Sequence, residues 1–540
     1  MRPEPKSAVD RWPSQIKFIV GNEACERFSY YGMRSILAGY ITGEVLKGGL
    51  GKDADTATSI IHFFVFANYF MPLFGAWLSD RIIGRYHTIL WVSLFYCAGH
   101  GVLACSDFAG GVHGKMICLY AGLALIAFGS GGIKPCVSAF MGDQFKPEQS
   151  HLLQKAYGAF YWSINLGSFF SFLVIPWIKD RHGYSLAFAV PGILMGIATL
   201  IFWLGTKRYV RVPPSREAKT AGFIPVFLAA CRSQPGIALA PLLTILTTLG
   251  IPLLVMVALT SVALREQMTP VARVVAWSGL TLAAVWYVAI VAMSLLNKSE
   301  LGDDFWQGAR NCHGEREIAA ARSVIPILFV FALIPVFFSL FDQSNSTWVL
   351  QGEKMAPFRL FGFSIGAEEM QSANPALVMI LVPLLTLGVY PRIGRFASPL
   401  RRMSLGMFLA ALSYVVVALL QGRIEAGVQL SVLWQIVPYV ILTTAEVLVS
   451  TTGLEFAFRE AAPEMKSTIM SLWLVTIALG DLLVVGITKV FSASGPKAHA
   501  GSVSTSRFFL YAGLTFIVAI LFSLVAARYR YRDEAAARGA

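Results

Sequence analysis

About fourteen apolar runs, most near 20 residues long, recur along this 540-residue chain. Each is long enough to cross roughly 30 Å of hydrocarbon as a helix. They lie near 18–46, 58–79, 87–106, 115–138, 156–178, 185–205, 236–263, 272–296, 323–350, 373–391, 403–421, 431–457, 467–492 and 507–528. Lipid offers no water to a free backbone N–H or C=O, so such runs must close their hydrogen bonds internally as helices. Composition agrees: 56% of residues are hydrophobic and 14% charged, against about 45–50% and 25% in a soluble domain. The expected fold is an all-α, multi-pass membrane protein.

Loop charges predict its orientation. Arg2, Lys6, Arg11 and Lys17 precede the first run, and Arg81, Arg85, Lys146 and Lys155 fill the second and fourth loops. Lys207, Arg208, Arg211, Arg216 and Lys219 follow the sixth run; Arg392, Arg395, Arg401 and Arg402 follow the tenth; Arg528, Arg530, Arg532 and Arg538 end the chain. The excess of bases in alternate loops places both termini in the cytoplasm. The net charge of +13 is spread between apolar runs, which suits an anionic bilayer surface and not a nucleic acid. The polar first 15 residues carry no short apolar core with a cleavage site, so no removable signal peptide is expected. The seven cysteines are odd in number, mostly inside apolar runs and free of any C-x-x-C spacing. They read as packing residues, with no disulfide frame or metal site expected.

The runs divide as six, two and six: an N-terminal bundle over 1–206, a linker with two extra spans over 207–321, and a C-terminal bundle over 322–540. A weak repeat supports the two sixes. Gly75-Ala76-Trp77-Leu78-Ser79-Asp80-Arg81-Ile82-Ile83-Gly84-Arg85 and Tyr390-Pro391-Arg392-Ile393-Gly394-Arg395 occupy matching loops. Parallel six-span halves are the architecture of major facilitator transporters. Asp80 and Arg85 could latch helix ends by a charge pair that breaks as the halves rock; an ordinary tight turn is the other reading.

Charges inside the runs are the functional candidates, because each costs about 2.5–3.5 kcal/mol in lipid and must face protein or water. In the first run Glu23, Arg27, Tyr30 or Tyr31 and Arg34 share one helix face, with Glu26 at its border. Lys134 and Glu446 stand alone in the fourth and in the tenth core run, and Asp342 in the seventh. Lys134 and Glu446 either pair across the halves or bind opposite charges on a ligand. Arg34 is the natural partner of Asp342. A static ion network remains the alternative for all of them. His62 lies seven residues before Tyr69 on the same face. It is a candidate proton site or a packing histidine.

Four stretches together resemble the proton-dependent oligopeptide transporter (POT/PTR) family of the major facilitator superfamily. They are Glu23-Ala24-Cys25-Glu26-Arg27-Phe28-Ser29-Tyr30-Tyr31-Gly32, Gly131 to Phe145, Phe160 to Ser168, and Ala445-Glu446 through Gly453-Leu454-Glu455-Phe456. The two extra spans and the short loop near 421–430 resemble prokaryotic members. The resemblance implies a proton-coupled symporter that imports di- and tripeptides across the cytoplasmic membrane by alternating access. No cofactor is implied beyond protons as coupling ion. It implies Arg27 and Lys134 toward the peptide carboxylate and Glu446 toward its amine. Arg34, Tyr31, Tyr69, Asn165 and Asn374 would complete the binding wall, with Trp473 as an aromatic side. Glu23, Glu26, Arg27, His62 and Asp342 would serve proton coupling, and the pairs Arg34–Asp342, Lys134–Glu446 and Asp80–Arg85 gating. Two departures, Phe337-Phe338 ahead of Asp342 and Asn345 after Gln343-Ser344, bear on side-chain preference.

A carrier of nitrate, drugs or modified peptides on the same scaffold is the alternative, though nitrate has no use for Glu446. A membrane enzyme is disfavoured: no H-E-x-x-H, no G-x-S-x-G and no Walker loop occurs.

Overall fold

The computed structural model describes residues 12–214, 222–233, 270, 271, 274, 278, 301–360, 363–394, 398–462, 465–492 and 503–531. The two extra spans expected near 236–263 and 272–296 lie almost wholly outside the described residues. Among the described residues, nine helices are long and apolar enough to cross a membrane, or ten if one bent pair counts as a span.

The first half consists of α1 (Ile16–Ser35), its short continuation α2 (Leu37–Thr42), α3 (Ala54–Leu78), α4 (Arg85–Ala104), α5 (Gly111–Gly142) and α6 (Ser150–Leu204). The charge-rich α1 falls outside the nine, as its five charged residues lower its apolarity. The fifth and sixth expected spans are the two arms of α6. They meet at Gly183, whose φ of 81° and ψ of 178° leave the helical region; a positive φ comes readily only to glycine. After α7 (Phe223–Ser233), α8 (Asp303–Gln307) and α9 (Glu315–Arg322), the second half follows. It comprises α10 (Val324–Phe331), α11 (Pro335–Phe341), α12 (Thr347–Gly352), α13 (Ala373–Pro383), α14 (Tyr390–Ile393), α15 (Pro399–Glu425), α16 (Ile436–Glu446), α17 (Thr452–Glu460), α18 (Lys466–Ser492) and α19 (Thr505–Arg528).

Three expectations of continuous helix are corrected. The run near 323–350 is broken into α10, α11 and α12, with a 45° bend just ahead of Pro335, which has no N–H to continue the ladder. The run near 431–457 carries a π-helical turn, Val447–Thr451, directly after Glu446. The run near 373–391 carries another, Leu384–Val389, and a further π turn, Ser79–Ile83, follows the run near 58–79 and holds Asp80. Such turns add a residue to the helix and re-aim the side chains around it. A β-hairpin absent from the sequence reading, β1 (Phe358–Leu360) with β2 (Phe363–Ile365), pairs antiparallel with Arg359 opposite Ser364.

Small residues set the helix crossings. A Cβ on Gly131 would sit 2.6 Å from the Asn68 carbonyl oxygen, and one on Gly75 would lie 2.7 Å from the Gly132 carbonyl carbon. The backbones of α3 and α5 therefore touch, which stands Lys134 beside Tyr69. Gly167 does the same for α6 against α1, where a Cβ would lie 2.6 Å from the Ala24 carbonyl oxygen, and Gly32 of α1 makes room for the Ile175 side chain of α6. Close approach of this kind supplies the packing attraction that lipid, itself apolar, cannot.

Two faces are distinguished by chain direction. At the terminal face, where α1 begins, Arg208 lies over Phe18 and Tyr86 meets Thr206. At the distal face the halves are tied to each other. Lys179 Nζ is 2.6 Å from Glu368 Oε2, and Gln371 donates to the Ser35 carbonyl at 3.1 Å. Between the halves, α3 packs along α18 and α6 against α13.

Candidate functional site

The stripe on α1 divides between two partners. Arg27 donates through Nη2 to Glu26 Oε1 at 2.6 Å and through Nε to Glu26 Oε2. Its Nε is 3.4 Å from Glu23 Oε1, the i, i+4 reach of a helix. Ser130 on α5 donates to Glu26 at 3.4 Å, and the guanidinium lies 5.2 and 5.9 Å from the Tyr30 and Tyr31 ring centres. One arginine against two carboxylates leaves this cluster one negative charge in excess when both are ionised. Arg34, two turns on, leaves its own half. Its Nη2 lies 2.9 Å from Asp342 Oδ1, with both side chains sealed from solvent.

Lys134 and Glu446 do not meet. Among the described residues neither has an opposite charge within ion-pair distance. Lys134 Nζ sits 3.7 Å above the Tyr69 ring centre, a cation–π contact. Glu446 Oε2 accepts from Asn374 Nδ2 at 2.7 Å, and Asn374 also donates to Thr443 at 3.1 Å. Of the two readings of Lys134 and Glu446, the bridge is absent from this conformation. The physical reason is that each charge has a polar or aromatic neighbour within its own half.

His62 is held on both ring nitrogens by the second half. Nδ1 is 2.6 Å from Asp481 Oδ1 and Nε2 is 2.8 Å from Ser346 Oγ. Asp481 was missed by the sequence reading. It is an isolated acid in the apolar run Ile477 to Val485, so the rule that singled out Asp342 also applies to it.

The remaining candidates divide. Asn165 donates to the Tyr161 carbonyl of its own helix at 3.0 Å. Trp473, expected to wall the pocket, is 2% exposed; it packs over Gly453 and edge-on to Phe331 and Phe338. Its indole belongs to the core of the second half: Gly453, lacking a side chain, leaves room for the ring, and Phe338 meets it edge-on. Arg85 lies 3.4 Å from Asp80, but its closer partner is Asp143 on the loop after α5, both of whose oxygens it reaches at 2.7 and 2.8 Å. Asp143 lies within the Gly131–Phe145 stretch, where sequence alone gives it no role.

Exposure separates these groups by depth. Arg34, Asp342, His62 and Asp481 are buried at 3% exposure or less. Tyr31, Tyr69, Lys134, Asn374 and Glu446 are half-buried. The Arg34–Asp342 and His62–Asp481 ties are thus dry, whereas Lys134 and Glu446 are only partly enclosed.

The arrangement has close relatives of known structure. An auto-inhibited POT family peptide transporter is 39% identical, with a TM-score of 0.77 over 96% of this chain and 98% of that one. The POT family transporter PepTSo is also 39% identical, with a TM-score of 0.78 over the same shares. Among curated proteins, peptide transporter family 1 of Drosophila melanogaster is 33% identical over 425 residues, 77% of this chain and 48% of that one. Solute carrier family 15 member 2 of Rattus norvegicus is 32% identical over 437 residues, 78% and 50% of the two chains. The chain spans about half the length of the curated relatives it matches. The POT family model matches residues 86–502. With motifs, fold and match in agreement, this chain is a multi-pass integral membrane protein of the POT family, with the major facilitator fold.

Proposed function

We propose that this protein is a symporter that carries di- and tripeptides inward with protons, by alternating access, across the cytoplasmic membrane with both termini in the cytoplasm. One observation carries the reading. A cation on the first half, Lys134, and an anion on the second, Glu446, are both partly enclosed, and among the described residues neither is paired with an opposite charge. A buried charge without a counter-charge is costly. A zwitterion with a carboxylate at one end and an amine at the other would satisfy both, whatever its side chains. Arg27 and Tyr31 would add to the carboxylate side, and Asn374 to the amine side, where it already orients Glu446. Asn165 and Trp473 would act at one remove, by shaping the helices behind the wall.

Coupling follows from the excess charge of the α1 cluster. A proton on Glu23 or Glu26 brings the cluster to neutrality and loosens Arg27, freeing it for a carboxylate. Arg34 with Asp342 and His62 with Asp481 hold the halves together on the distal side. Arg85 with Asp143 and Asp80 braces helix ends of the first half at the terminal face. The division at 206 and 322 is the hinge of this reading: two bundles rock around a shared central site. The protonmotive force supplies about 2.3 kcal/mol per charge per 100 mV, enough for severalfold accumulation.

The test is uptake of labelled dialanine by proteoliposomes under an inward proton gradient. Accumulation that collapses with an uncoupler is the expected result. Uptake indifferent to the uncoupler removes the coupling, and no uptake of any di- or tripeptide removes the substrate class.

A further inference from the structure

At the terminal face α6 ends at Leu204, and Trp203 and Leu204 are both exposed. The membrane-crossing span stops there, so the residues just beyond it stand at headgroup depth. Those residues are basic. Lys207, Arg208 and Arg211 follow, with no acid between Gly205 and Pro214. Exposed Val210 and Val212 alternate with them.

This segment is docked onto the first half. Gln144, just past the end of α5, pairs with its backbone as a neighbouring strand would. Nε2 donates to the Val210 carbonyl at 3.0 Å, and the Val210 N–H donates back to Oε1 at 2.9 Å. The Tyr209 ring packs against Phe140 and Phe202, with ring centres 5.0 and 5.1 Å away. The hydroxyls of Tyr86 and Thr206 are hydrogen-bonded at 2.8 Å.

So held, the segment lays its cations on aromatic rings. Arg211 Cζ lies 3.9 Å from the Tyr86 ring centre, and its Nη2 donates to the Thr206 carbonyl at 3.2 Å. Arg208 Cζ lies 5.5 Å from the Phe18 ring centre. That ring carries a second cation, because Lys17 Nζ is 5.2 Å from the same centre. Two like charges from separate elements thus share one ring. Among the described residues none of Lys17, Arg208 and Arg211 has a carboxylate within ion-pair distance. A ring quadrupole attracts each cation but leaves their mutual repulsion in place. An anion at this point cancels it.

We propose that this is a binding site for an anionic phospholipid of the leaflet at the terminal face. The headgroup phosphate sits against Lys17 and Arg208, with Arg211 alongside, and the acyl chains run past Trp203 and Leu204. Bound in this way, the lipid staples the start of α1 to the segment that leaves α6. The exposed apolar residues favour a lipid over a soluble phosphate, since only the lipid has chains to cover them. The inference concerns binding alone and holds whatever the protein carries.

The test titrates the full-length protein in neutral detergent with dioleoylphosphatidylglycerol, and separately with dioleoylphosphatidylcholine, and follows the melting temperature. Phosphatidylglycerol should raise it saturably, and phosphatidylcholine far less. In K17Q/R208Q the phosphatidylglycerol needed for half the effect should rise roughly thirtyfold. R208Q alone, which serves should the double variant fail to fold, should raise it about fivefold. K17R/R208K keeps both charges and should titrate like the parent. R81Q/R392Q removes two exposed bases of other terminal-face turns and should also titrate like the parent. A titration unchanged by the glutamine substitutions at 17 and 208 overturns the proposal. So does an equal loss in R81Q/R392Q, or equal stabilisation by phosphatidylcholine or by inorganic phosphate.

Discussion

Lys134 rests on the face of an aromatic ring, and that single contact sets what can be changed around it. The interaction needs the π face of Tyr69 and not its hydroxyl, so Tyr69→Phe should keep peptide uptake near the parent level. Tyr69→Ala should raise the apparent KM several-fold, since cation–π contacts contribute about 0.5–2 kcal/mol. Glu446→Gln keeps the shape and the bond from Asn374 but loses the charge opposite the peptide amine. A charged hydrogen bond contributes about 1.5–3 kcal/mol, so gradient-driven uptake should fall by roughly ten- to a hundredfold with the melting temperature nearly unchanged. An active Glu446→Gln protein would refute its contact with the amine. Asn374 is the check on positioning: Asn374→Ala should weaken uptake less than Glu446→Gln, because the charge remains while its orientation is lost.

Between elements, the crossing of α3 and α5 carries the site. Gly75→Ala would drive a methyl group into the Gly132 backbone. Backbone cannot step aside as a flexible side chain can, and overpacking typically costs about 1–3 kcal/mol. The variant should melt at lower temperature in detergent, and Lys134 should lose its register with Tyr69. Gly101→Ala, where nothing lies within 4 Å of the added carbon, is the matched control and should melt like the parent. The tie between Lys179 on α6 and Glu368 just ahead of α13 has a pH sign of its own. Burial pushes the Glu368 carboxyl up to about 7, outweighing the Lys179 ammonium that pulls it down. A group whose pKa is higher when enclosed binds a proton on closure. Distal closure should therefore gain from this group as pH falls through about 7 toward the ordinary carboxylate value. Glu368→Gln should remove that part of the pH dependence, as read by the distance between spin labels at L46C and V428C, exposed distal positions on opposite halves, with Cys105 and Cys312 replaced by serine.

For the whole molecule, the halves are tied to each other at the distal face by Lys179 with Glu368 and by Gln371 with the Ser35 carbonyl. Bridging K179C to E368C with a bifunctional thiol reagent, in the background lacking Cys105 and Cys312, should abolish uptake. Cleavage of the bridge by reductant should restore it. Undiminished uptake by the bridged protein would show that the distal face need not open.

Much of this was legible in the chain itself. Hydrophobic length and loop charge dictate a polytopic helical protein, because lipid excludes any other backbone and any unassisted charge. The same exclusion picks out Arg27, Arg34, Lys134, Asp342 and Glu446 one at a time, and the spacing of Glu23, Glu26 and Arg27 on one helix already brings them together. Periodicity reaches no farther than a few turns of one helix, so pairing at a distance is legible only where two isolated charges of opposite sign suggest each other, as Arg34 and Asp342 do across 308 positions. The tie of His62 to Asp481, separated by 419 positions, carries no such signal. Only the packed bundle decides that Lys134 lies on Tyr69 and not on Glu446, that Arg85 reaches Asp143, and that Trp473 turns into the core. Each of those choices depends on which backbones approach closely enough, and that is settled by glycine crossings, kinks and π turns acting together in three dimensions.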